Sequence, residues 1–550
     1  MSVLTEPTTL RPLIARGSRA ASRLAGVLAV VIILLFLVLH NPFWVRFGDS
    51  ELYLSVARSL AGGRGYRFNG QPVAIVPPLW PLVLAGLMKI STSLAVLKLV
   101  PLMAMVGFLL ISYDILLRWT TPIIAAMCVL TAAILEPVFS QTFLFFSEPL
   151  FSLLAIGAVW VALKIGDGKD SCRWIGLLAG LCMLSVATRW AGLPFFAVIG
   201  CAVLQGEILP RLNRHWLAFV LAAGATVLAF YGLRMALRVD PSKIDPRYDA
   251  FVAGAYSMLS PTDASDTYAH RILHFGEWIG GLLWRPAQTY RFSRPLDNLA
   301  GWILSVMLLA SIARHAGKRD WAWIGGAVYV VVLGINWPDP ISRYILPLAP
   351  FIIYGVYESI TILCNRLFRH DGPRLAMLNF FFAAVLGLNG GLYLMTLIVM
   401  RSRTFYDTFQ GGVHRQMIDA AAYLREQPPG NYEIGISGRT VNFDREFPVT
   451  DGYRRAMNFL TARDLISVPI ELCREPDAEL VRWLVDHKVR YYLYQPPIHL
   501  LEQFRPRTRD GQPVPDDDGA WRLYEIRGGR ARRVPLQPVG DWPRKVPGLQ

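Results

Sequence analysis

Acidic residues stand at the beginnings of two apolar segments of this sequence. Asp49 and Glu51 follow the first long apolar run in F-G-D-S-E-L-Y, and Glu148 opens another apolar segment in F-F-S-E-P-L-F. A carboxylate at such a place can cap the free N–H groups of a helix, or it can accept a proton from a reacting hydroxyl. Spacing alone leaves both interpretations open, but acidic groups beside a membrane are costly and tend to mark function.

Two arginines are predicted on the same side as these carboxylates. Arg189 lies at the tip of a helical hairpin, and Arg343 opens the apolar segment R-Y-I-L-P. A guanidinium can hold a phosphate through two parallel hydrogen bonds, or its head can simply snorkel to lipid headgroups. Carboxylates and arginines around a lipid phosphate would suit transfer of a group from that phosphate to a hydroxyl. The carboxylate would take the proton, and the cations would stabilise the departing phosphate.

A long polar loop, residues 238–296, carries further candidates, and loops of this length are usually functional or disordered. His270 and His274 have the i, i+4 spacing that could suit a metal. No third ligand is near in sequence, so surface histidines are the favoured interpretation. Trp278 begins W-I-G-G-L-L-W, which predicts an interfacial helix with aromatic anchors. We expect this helix to line or cover the entrance for an acceptor.

The elements that must position these residues are membrane helices. Of the 550 residues, 53% are hydrophobic and 17% charged, against about 25% charged in soluble proteins. The run Leu24–Leu39 has no charge and can cross a bilayer when slightly extended. A cleaved signal peptide is the alternative, but no small-residue cleavage site follows this run.

The net charge of +15 comes largely from short basic loops, so it indicates cytoplasmic loops rather than nucleic-acid binding. The six cysteines predict neither a disulfide framework nor a metal cluster.

Basic loops also predict the orientation. Arginines before the first apolar run place the N-terminus in the cytoplasm. Counting onward predicts about eleven spans. Val76–Ile90 is short and opens with Pro77-Pro78 and Pro81, so it is predicted as a juxtamembrane or partly re-entrant helix rather than a crossing. Residues 41–75, residues 238–296 and the C-terminal part then lie outside. We therefore predict a polytopic α-helical membrane domain, residues 1–400, followed by a small external α/β domain, residues 401–550.

Apolar residues at helical spacing predict that Ser50–Ala61 forms an amphipathic helix near the membrane surface. Asp49 and Ser50 would stand at its N-terminus, and Gly62-Gly63 would end it. In the C-terminal part, patterns of two kinds alternate and predict a small α/β fold. The predicted strands are Tyr432–Ser437, Val489–Tyr494 and Trp521–Ile526, and the predicted helices are Met417–Arg425 and Asp477–His487.

The ordered set of short motifs resembles the GT-C-type membrane glycosyltransferases, in particular the branch of protein O-mannosyltransferases and lipid A aminoarabinose transferases. Those enzymes have an acidic residue in the first external loop, a Pro-Pro-x-x-Pro segment, a later acidic residue and an Arg-Tyr pair opening a late span. The matching residues here are Asp49, Pro77-Pro78-Leu79-Trp80-Pro81, Glu148 and Arg343-Tyr344. The resemblance extends over the layout of the whole membrane domain, and the motifs themselves cover about a quarter of that domain.

This resemblance implies a polyprenyl-phosphate-linked sugar donor and inverting transfer to a hydroxyl of a lipid, glycan or protein on the external face of the plasma (inner) membrane. Asp49 would be the general base or would orient the acceptor, and Glu148 would assist it. Arg189, Arg343 and Tyr344 would hold the donor phosphate. Because Ser50 separates Asp49 from Glu51, where the family's acidic pair is often adjacent, either of the two could be the base. A divalent metal on Asp49 and Glu148 stays possible, since metal dependence varies in this superfamily.

Two other classes of function are compatible with the sequence. A transporter or flippase of lipid-linked sugars would show repeated halves and charges deep within spans, and neither is evident here. A cell-envelope assembly protein would use its C-terminal domain to bind a partner.

Overall fold

The structure of the chain is a computed structural model. The structure describes residues 11–44, 49–73, 76–167, 172–189, 191–192, 199, 282–283, 294–318, 320–336, 342–368, 370–401, 411–428, 430, 432–442, 445–448, 457–463, 465–468, 472, 474–499, 521–536, 545–547 and 549.

Helices dominate the described residues up to 401. Their bounds are Arg11–Leu39 (α1), Asp49–Ala61 (α2), Leu79–Met88 (α3), Leu94–Leu116 (α4), Pro122–Ala133 (α5), Glu136–Phe139 (α6), Glu148–Gly166 (α7), Cys172–Thr188 (α8), Arg294–Gly317 (α9), Trp321–Asn336 (α10), Ala349–Leu367 (α11) and Asp371–Arg401 (α12). A hairpin of two short strands, Arg67–Phe68 (β1) and Gln71–Pro72 (β2), follows α2. The 3-10 segment Ser342–Leu348 runs directly into α11.

Five helices among the described residues are long and apolar enough to cross a membrane. They cover Ala20–Leu39, Leu94–Leu116, Glu148–Gly166, Arg343–Leu367 and Ala376–Ile398. Pro122–Ala133 and Glu136–Thr142 would make a sixth span, bent by 70° at their junction. These helices fit a polytopic membrane protein. The predicted total of about eleven spans includes segments outside the described residues, so it stays a prediction.

Two short helices lie next to these spans. α3 has ten residues, which is too short to cross a bilayer and agrees with the juxtamembrane helix predicted there. α2 begins one residue earlier than predicted, and residues 50–59 are all buried rather than only its apolar face. Its polar face is covered because it packs against both α3 and the chain's C-terminal region, defined here as residues from 411 onward.

Close helix packing holds the bundle together. α4 lies beside α7, and α7 lies beside α8. Gly355 of α11 allows a tight approach to α9 and α10, because a Cβ there would lie 2.9 Å from Leu308 Cδ1 and 3.1 Å from the Trp323 ring. This packing fixes the position of the 3-10 segment that precedes α11.

The C-terminal region contains a mixed six-stranded sheet. Its elements are helix Gly411–Glu426 (α13), strands Glu433–Asn442 (β3), Arg445–Pro448 (β4) and Leu465–Ser467 (β5), helix Ala478–Asp486 (α14), and strands Val489–His499 (β6), Arg522–Arg527 (β7) and Arg530–Arg533 (β8). The order is β4-β3-β6-β7-β8, with β5 also paired to β3. β3 pairs in parallel with β5 and β6, and the other pairs are antiparallel. Asp477 caps α14, whose Leu480 and Leu484 pack against β6.

Candidate functional site

Four candidate residues that are far apart in sequence meet at one place in the fold. Asp49 is the first residue of α2, and Glu148 is the first residue of α7. Arg189 follows the last residue of α8, and Arg343 lies in the 3-10 segment before α11. All four therefore stand at or near the ends of elements whose bodies pack in the bundle.

The two arginines and the two carboxylates form a continuous chain of ion pairs. Arg343 Nη2 donates to Asp49 Oδ2 at 2.9 Å, and Arg343 Nε lies 3.4 Å from Glu148 Oε1. Arg189 Nη1 lies 2.7 Å from Glu148 Oε2. Glu148 thus bridges the two guanidiniums, and the formal charges of the four groups cancel.

Burial distinguishes the two carboxylates. The Glu148 side chain is 2% exposed, whereas that of Asp49 is 27% exposed. The guanidinium side chains fall between these values, with Arg189 at 9% and Arg343 at 18%. A buried ion that loses its partner is strongly destabilising, so Glu148 acts first as the counter-ion that keeps both arginines in place. Asp49 and Arg343 form the more accessible side of the cluster.

Hydroxyl groups extend the cluster towards α2. Arg189 Nη1 donates to Ser147 Oγ at 3.0 Å, and Tyr53 OH shares a second hydrogen bond with the same oxygen, also at 3.0 Å. Burial raises the pKa of Tyr53 to about 12, so its hydroxyl stays neutral at pH 7. Neither hydroxyl was predicted from the sequence as part of the site. The available signal was the position of Tyr53 one helical turn after Asp49, on the same face of α2.

Aromatic rings support the guanidiniums. The ring of Tyr344 lies beneath both of them, with its centroid 4.8 Å from Arg189 Cζ and 5.3 Å from Arg343 Cζ. The Phe146 ring also lies against Arg343, with its centroid 5.1 Å from Cζ. Tyr329 OH donates to the carbonyl of Tyr344 at 2.8 Å, which holds the Arg-Tyr segment against α10. Cation–π contacts of this kind favour the charged, oriented arginine.

The Pro-Pro-x-x-Pro segment supports the backbone that leads to Glu148. Trp80 of this segment is fully buried, and its Nε1 donates to the Phe145 carbonyl at 2.9 Å. The Phe145 N–H donates to Ser50 Oγ of α2 at 3.2 Å. α2, α3 and the segment before α7 are therefore tied together within a few residues of Asp49 and Glu148.

A buried lysine fixes the chain just after α1, at Asn41 and Phe43. Lys98 of α4 is fully buried, and its ammonium donates to Asn41 Oδ1 at 2.8 Å, to the Asn41 carbonyl at 3.2 Å and to the Phe43 carbonyl at 2.6 Å. All three protons of the ammonium can be used in this way. Lys98 is thus a structural anchor for the chain as it leaves α1.

Other predicted site residues are placed differently. Glu51 is 0% exposed, so the structure gives it no route to a substrate comparable with that of Asp49. His270 and Trp278, together with His274, lie outside the described residues. Their predicted roles at an acceptor entrance therefore stay predictions.

The suitability of the cluster for a metal can be judged from its donors. Among the residues that the structure describes, no group of three or more His, Cys, Asp or Glu side chains could hold a metal ion. Asp49 and Glu148 are two carboxylates, and each already meets the guanidinium of Arg343. A divalent ion prefers several oxygen ligands without cations beside them. The donor set therefore fits an anion held by arginines better than a metal cage.

Comparison with known proteins gives neighbours by structure alone. No family model matches the chain, and no curated protein matches its sequence. ArnT from Cupriavidus metallidurans in the apo state superposes with a TM-score of 0.53 at 11% identity, over 87% of this chain and 93% of that one.

The oligosaccharyltransferase of Archaeoglobus fulgidus is a second neighbour. Its form tethered to an acceptor peptide gives a TM-score of 0.55 at 13% identity, over 86% of this chain and 69% of that one. AglB from Archaeoglobus fulgidus, in complex with an inhibitory peptide and a dolichol-phosphate, gives a TM-score of 0.50 at 14% identity, over 86% of this chain and 69% of that one. These neighbours are GT-C glycosyltransferases, and the resemblance expected from the motifs is confirmed at the level of the fold.

Proposed function

We propose that this GT-C-like membrane protein is an inverting glycosyltransferase that moves a sugar from a polyprenyl-phosphate donor to a hydroxyl acceptor. The observation that carries the proposal is the ion-paired set of Asp49, Arg343, Glu148 and Arg189, located at helix ends of this fold. It combines a partly exposed carboxylate with two guanidiniums, which are the groups that proton removal and phosphate departure need.

The reaction is a single displacement at the anomeric carbon of the sugar. The acceptor oxygen forms the new glycosidic bond, and the bond from the anomeric carbon to the phosphate oxygen breaks. Asp49 accepts the acceptor's proton, because its side chain is the more exposed of the two carboxylates in the cluster. The departing polyprenyl phosphate gains one negative charge, and Arg343 and Arg189 stabilise that charge.

Glu148 and Tyr344 have supporting roles in this scheme. Glu148 holds both guanidiniums at fixed positions, so they need little reorganisation when the phosphate becomes more negative. The Tyr344 ring supports the same two groups from below and limits the rotamers available to Arg343. We assign Glu148 to positioning rather than to proton transfer because its side chain is only 2% exposed.

The donor and acceptor are proposed as classes. AglB, which shares the fold, has been seen with a dolichol-phosphate, a polyprenyl-type lipid phosphate, and this supports such a donor here. The sugar would be a hexose or a pentose. The acceptor would be a hydroxyl of a cell-envelope glycan, lipid or protein, reached past the loop that contains His270 and Trp278.

The site is proposed to lie on the external, periplasmic side of the plasma (inner) membrane, within a transferase domain of residues 1–400. The basic loops of the sequence support this orientation. Contacts between α2 and the C-terminal region support a shared side for Asp49 and the proposed external domain, residues 401–550.

The alternatives are a transporter or flippase of lipid-linked sugars and an envelope assembly protein. A transporter would place its charged groups near the middle of spans. Here the paired charges lie at helix beginnings and ends, which supports the transferase.

The test is sugar transfer by the full chain in membranes supplied with polyprenyl-phosphate sugars carrying a labelled hexose or pentose. Release of polyprenyl phosphate and appearance of label in an acceptor would be measured. Asp49→Asn should lower both about 100- to 10,000-fold, the usual contribution of a general base, while leaving expression intact. Asp114→Asn is the matched control, because Asp114 pairs with Lys164 near the other end of α7. Full activity of Asp49→Asn would contradict the role of Asp49 as base.

A further inference from the structure

A buried arginine joins the helix that begins with Asp49 to the C-terminal region. Arg58 stands nine residues after Asp49, about 13 Å along the helix, and is 3% exposed. Its Nη1 donates to the carbonyl of Phe459 at 2.7 Å, and its Nη2 donates to the carbonyl of Asn458 at 2.9 Å. These partners lie 400 and 401 residues away in sequence.

The same guanidinium reaches two further acceptors. Nη2 lies 3.4 Å from Asn458 Oδ1, and Nη1 lies 3.3 Å from the carbonyl of Pro547, close to the end of the chain. The Phe459 ring lies 6.0 Å from Arg58 Cζ and stacks on Trp44, with 6.3 Å between the ring centroids. A planar fork with five donors can serve several carbonyls at once, which an ammonium cannot do with the same geometry.

Further contacts secure the C-terminal region next to α2. In the β1–β2 hairpin, Asn69 Nδ2 donates to the Leu465 carbonyl and Asn69 Oδ1 accepts from the Leu465 N–H, each at 2.5 Å. Between α3 and α4, the Thr92 carbonyl accepts from the Val546 N–H at 2.9 Å. The C-terminal region thus contacts the chain before, at and after the hairpin, and Arg58 makes such a contact from α2 itself.

The opposite end of α2 is attached to the membrane bundle. Ser50 Oγ accepts from the Phe145 N–H, and Tyr53 OH bonds Ser147 Oγ. Arg189 and Arg343, by contrast, belong to segments adjoining α8 and α11, which pack within the bundle. A shift of α2 would therefore move Asp49 relative to α8 and to the segment before α11, which carry the arginines.

We propose that the C-terminal region positions Asp49 through Arg58, so that α2 is held between that region and the membrane bundle. Arg58 is a positioning residue in this scheme. The inference rests on the proposed function only where it concerns transfer rates, because the restraint of α2 can be measured without turnover. A misplacement of about 1 Å at a reacting group can lower a rate about 100-fold.

The first arm of the test measures hydrogen exchange of the full chain in lipid nanodiscs. In Arg58→Ala, amides of α2 should exchange faster, while those of α7 keep their protection. Arg64→Ala is the matched control, because Arg64 is exposed just beyond α2. Unchanged α2 exchange in Arg58→Ala would overturn the proposal, as would a general loss of protection throughout the bundle.

The second arm compares turnover with binding of polyprenyl phosphate, the probe for the arginine site. Arg58→Ala should lower the rate of sugar transfer about 10- to 100-fold and leave the dissociation constant for polyprenyl phosphate unchanged. Arg58→Lys should recover part of the rate, because it can still donate to some of the carbonyls. A rate equal to that of the unmodified chain would overturn the proposal, as would a loss confined to lipid binding.

A double variant shows whether Arg58 acts through Asp49. In an Asp49→Asn background, Arg58→Ala should lower the residual rate no further, since the group that it positions is already lost. Multiplicative losses would overturn the proposal. If Asp49→Asn instead retains full activity while Arg58→Ala loosens α2, the restraint of α2 stands and the proposed base is wrong.

Discussion

Arg343 and Asp49 form an ion pair across 294 residues of sequence, with Nη2 2.9 Å from Oδ2. The Nε atom of Arg343 also lies 3.4 Å from Glu148 Oε1, so one guanidinium contacts both a partly exposed carboxylate and a buried one. The pair places a candidate base directly beside a candidate phosphate ligand. Substitutions at these residues should therefore separate proton transfer, phosphate binding and stability.

Glu51 should be dispensable for the chemistry. Because it is fully buried, we expect Glu51→Gln, which keeps the shape of the side chain, to retain sugar transfer under conditions in which Asp49→Asn is inactive. The measurement is the initial rate of label transfer at equal amounts of folded protein. The reverse pattern, an inactive Glu51→Gln beside an active Asp49→Asn, would move the base to Glu51.

Arg343→Ala should impair use of the donor more than use of the acceptor. Loss of one hydrogen-bond donor to a developing negative charge lowers the rate about 100- to 1,000-fold. Binding of the phosphate before the reaction is weakened as well. Rates measured against donor and acceptor concentration separate the two effects. Arg118→Ala serves as the control, because its ion pair with Asp167 is partly exposed and should contribute little. Unchanged dependence on donor concentration would argue against the phosphate role.

Glu148→Ala should destabilise the protein more than Asp49→Ala does. Removing Glu148 leaves two largely buried guanidiniums without their shared counter-ion, and breaking a buried pair costs about 3–5 kcal/mol. Asp49 is more exposed, so water can replace it beside Arg343. Thermal unfolding in detergent would compare the two variants. An equal or smaller shift for Glu148→Ala would show that Glu148 does not hold the arginines.

Transfer should persist after treatment with EDTA. The two arginines already supply positive charge where the phosphate would depart, and the carboxylates beside them are paired with guanidiniums. Rates before and after chelation, with readdition of single divalent ions, provide the measurement. A loss that one divalent ion restores would show that Asp49 and Glu148 exchange their arginine partners for a metal.

A reporter fused after Met400 should be located on the external side. The prediction follows from the basic loops, and contacts of Arg58 with the C-terminal region require α2 to share that side. An alkaline phosphatase fusion should be active and a green fluorescent fusion dark. A cytoplasmic reporter would reverse the predicted orientation of Asp49 as well.

The sequence by itself determined the class of protein and the local positions of its candidate residues. Long uncharged runs predicted membrane helices, and periodicity predicted α2 to within one residue. The shortness of Val76–Ile90 and the prolines at its start predicted that α3 does not cross the membrane. These features are encoded locally, since hydropathy, helix spacing and helix ends depend on residues a few positions apart. The ordered motifs also predicted the fold that the structural neighbours share.

Only the tertiary structure decided how those residues are paired and buried. Spacing could not distinguish Asp49 from Glu51, because burial depends on which elements cover α2. Nor could spacing show that Glu148 bridges two arginines, that Tyr53 and Ser147 extend the cluster, or that Arg58 meets a segment 400 residues away. Such contacts arise from the packing of whole helices and of the C-terminal sheet, which no local pattern specifies.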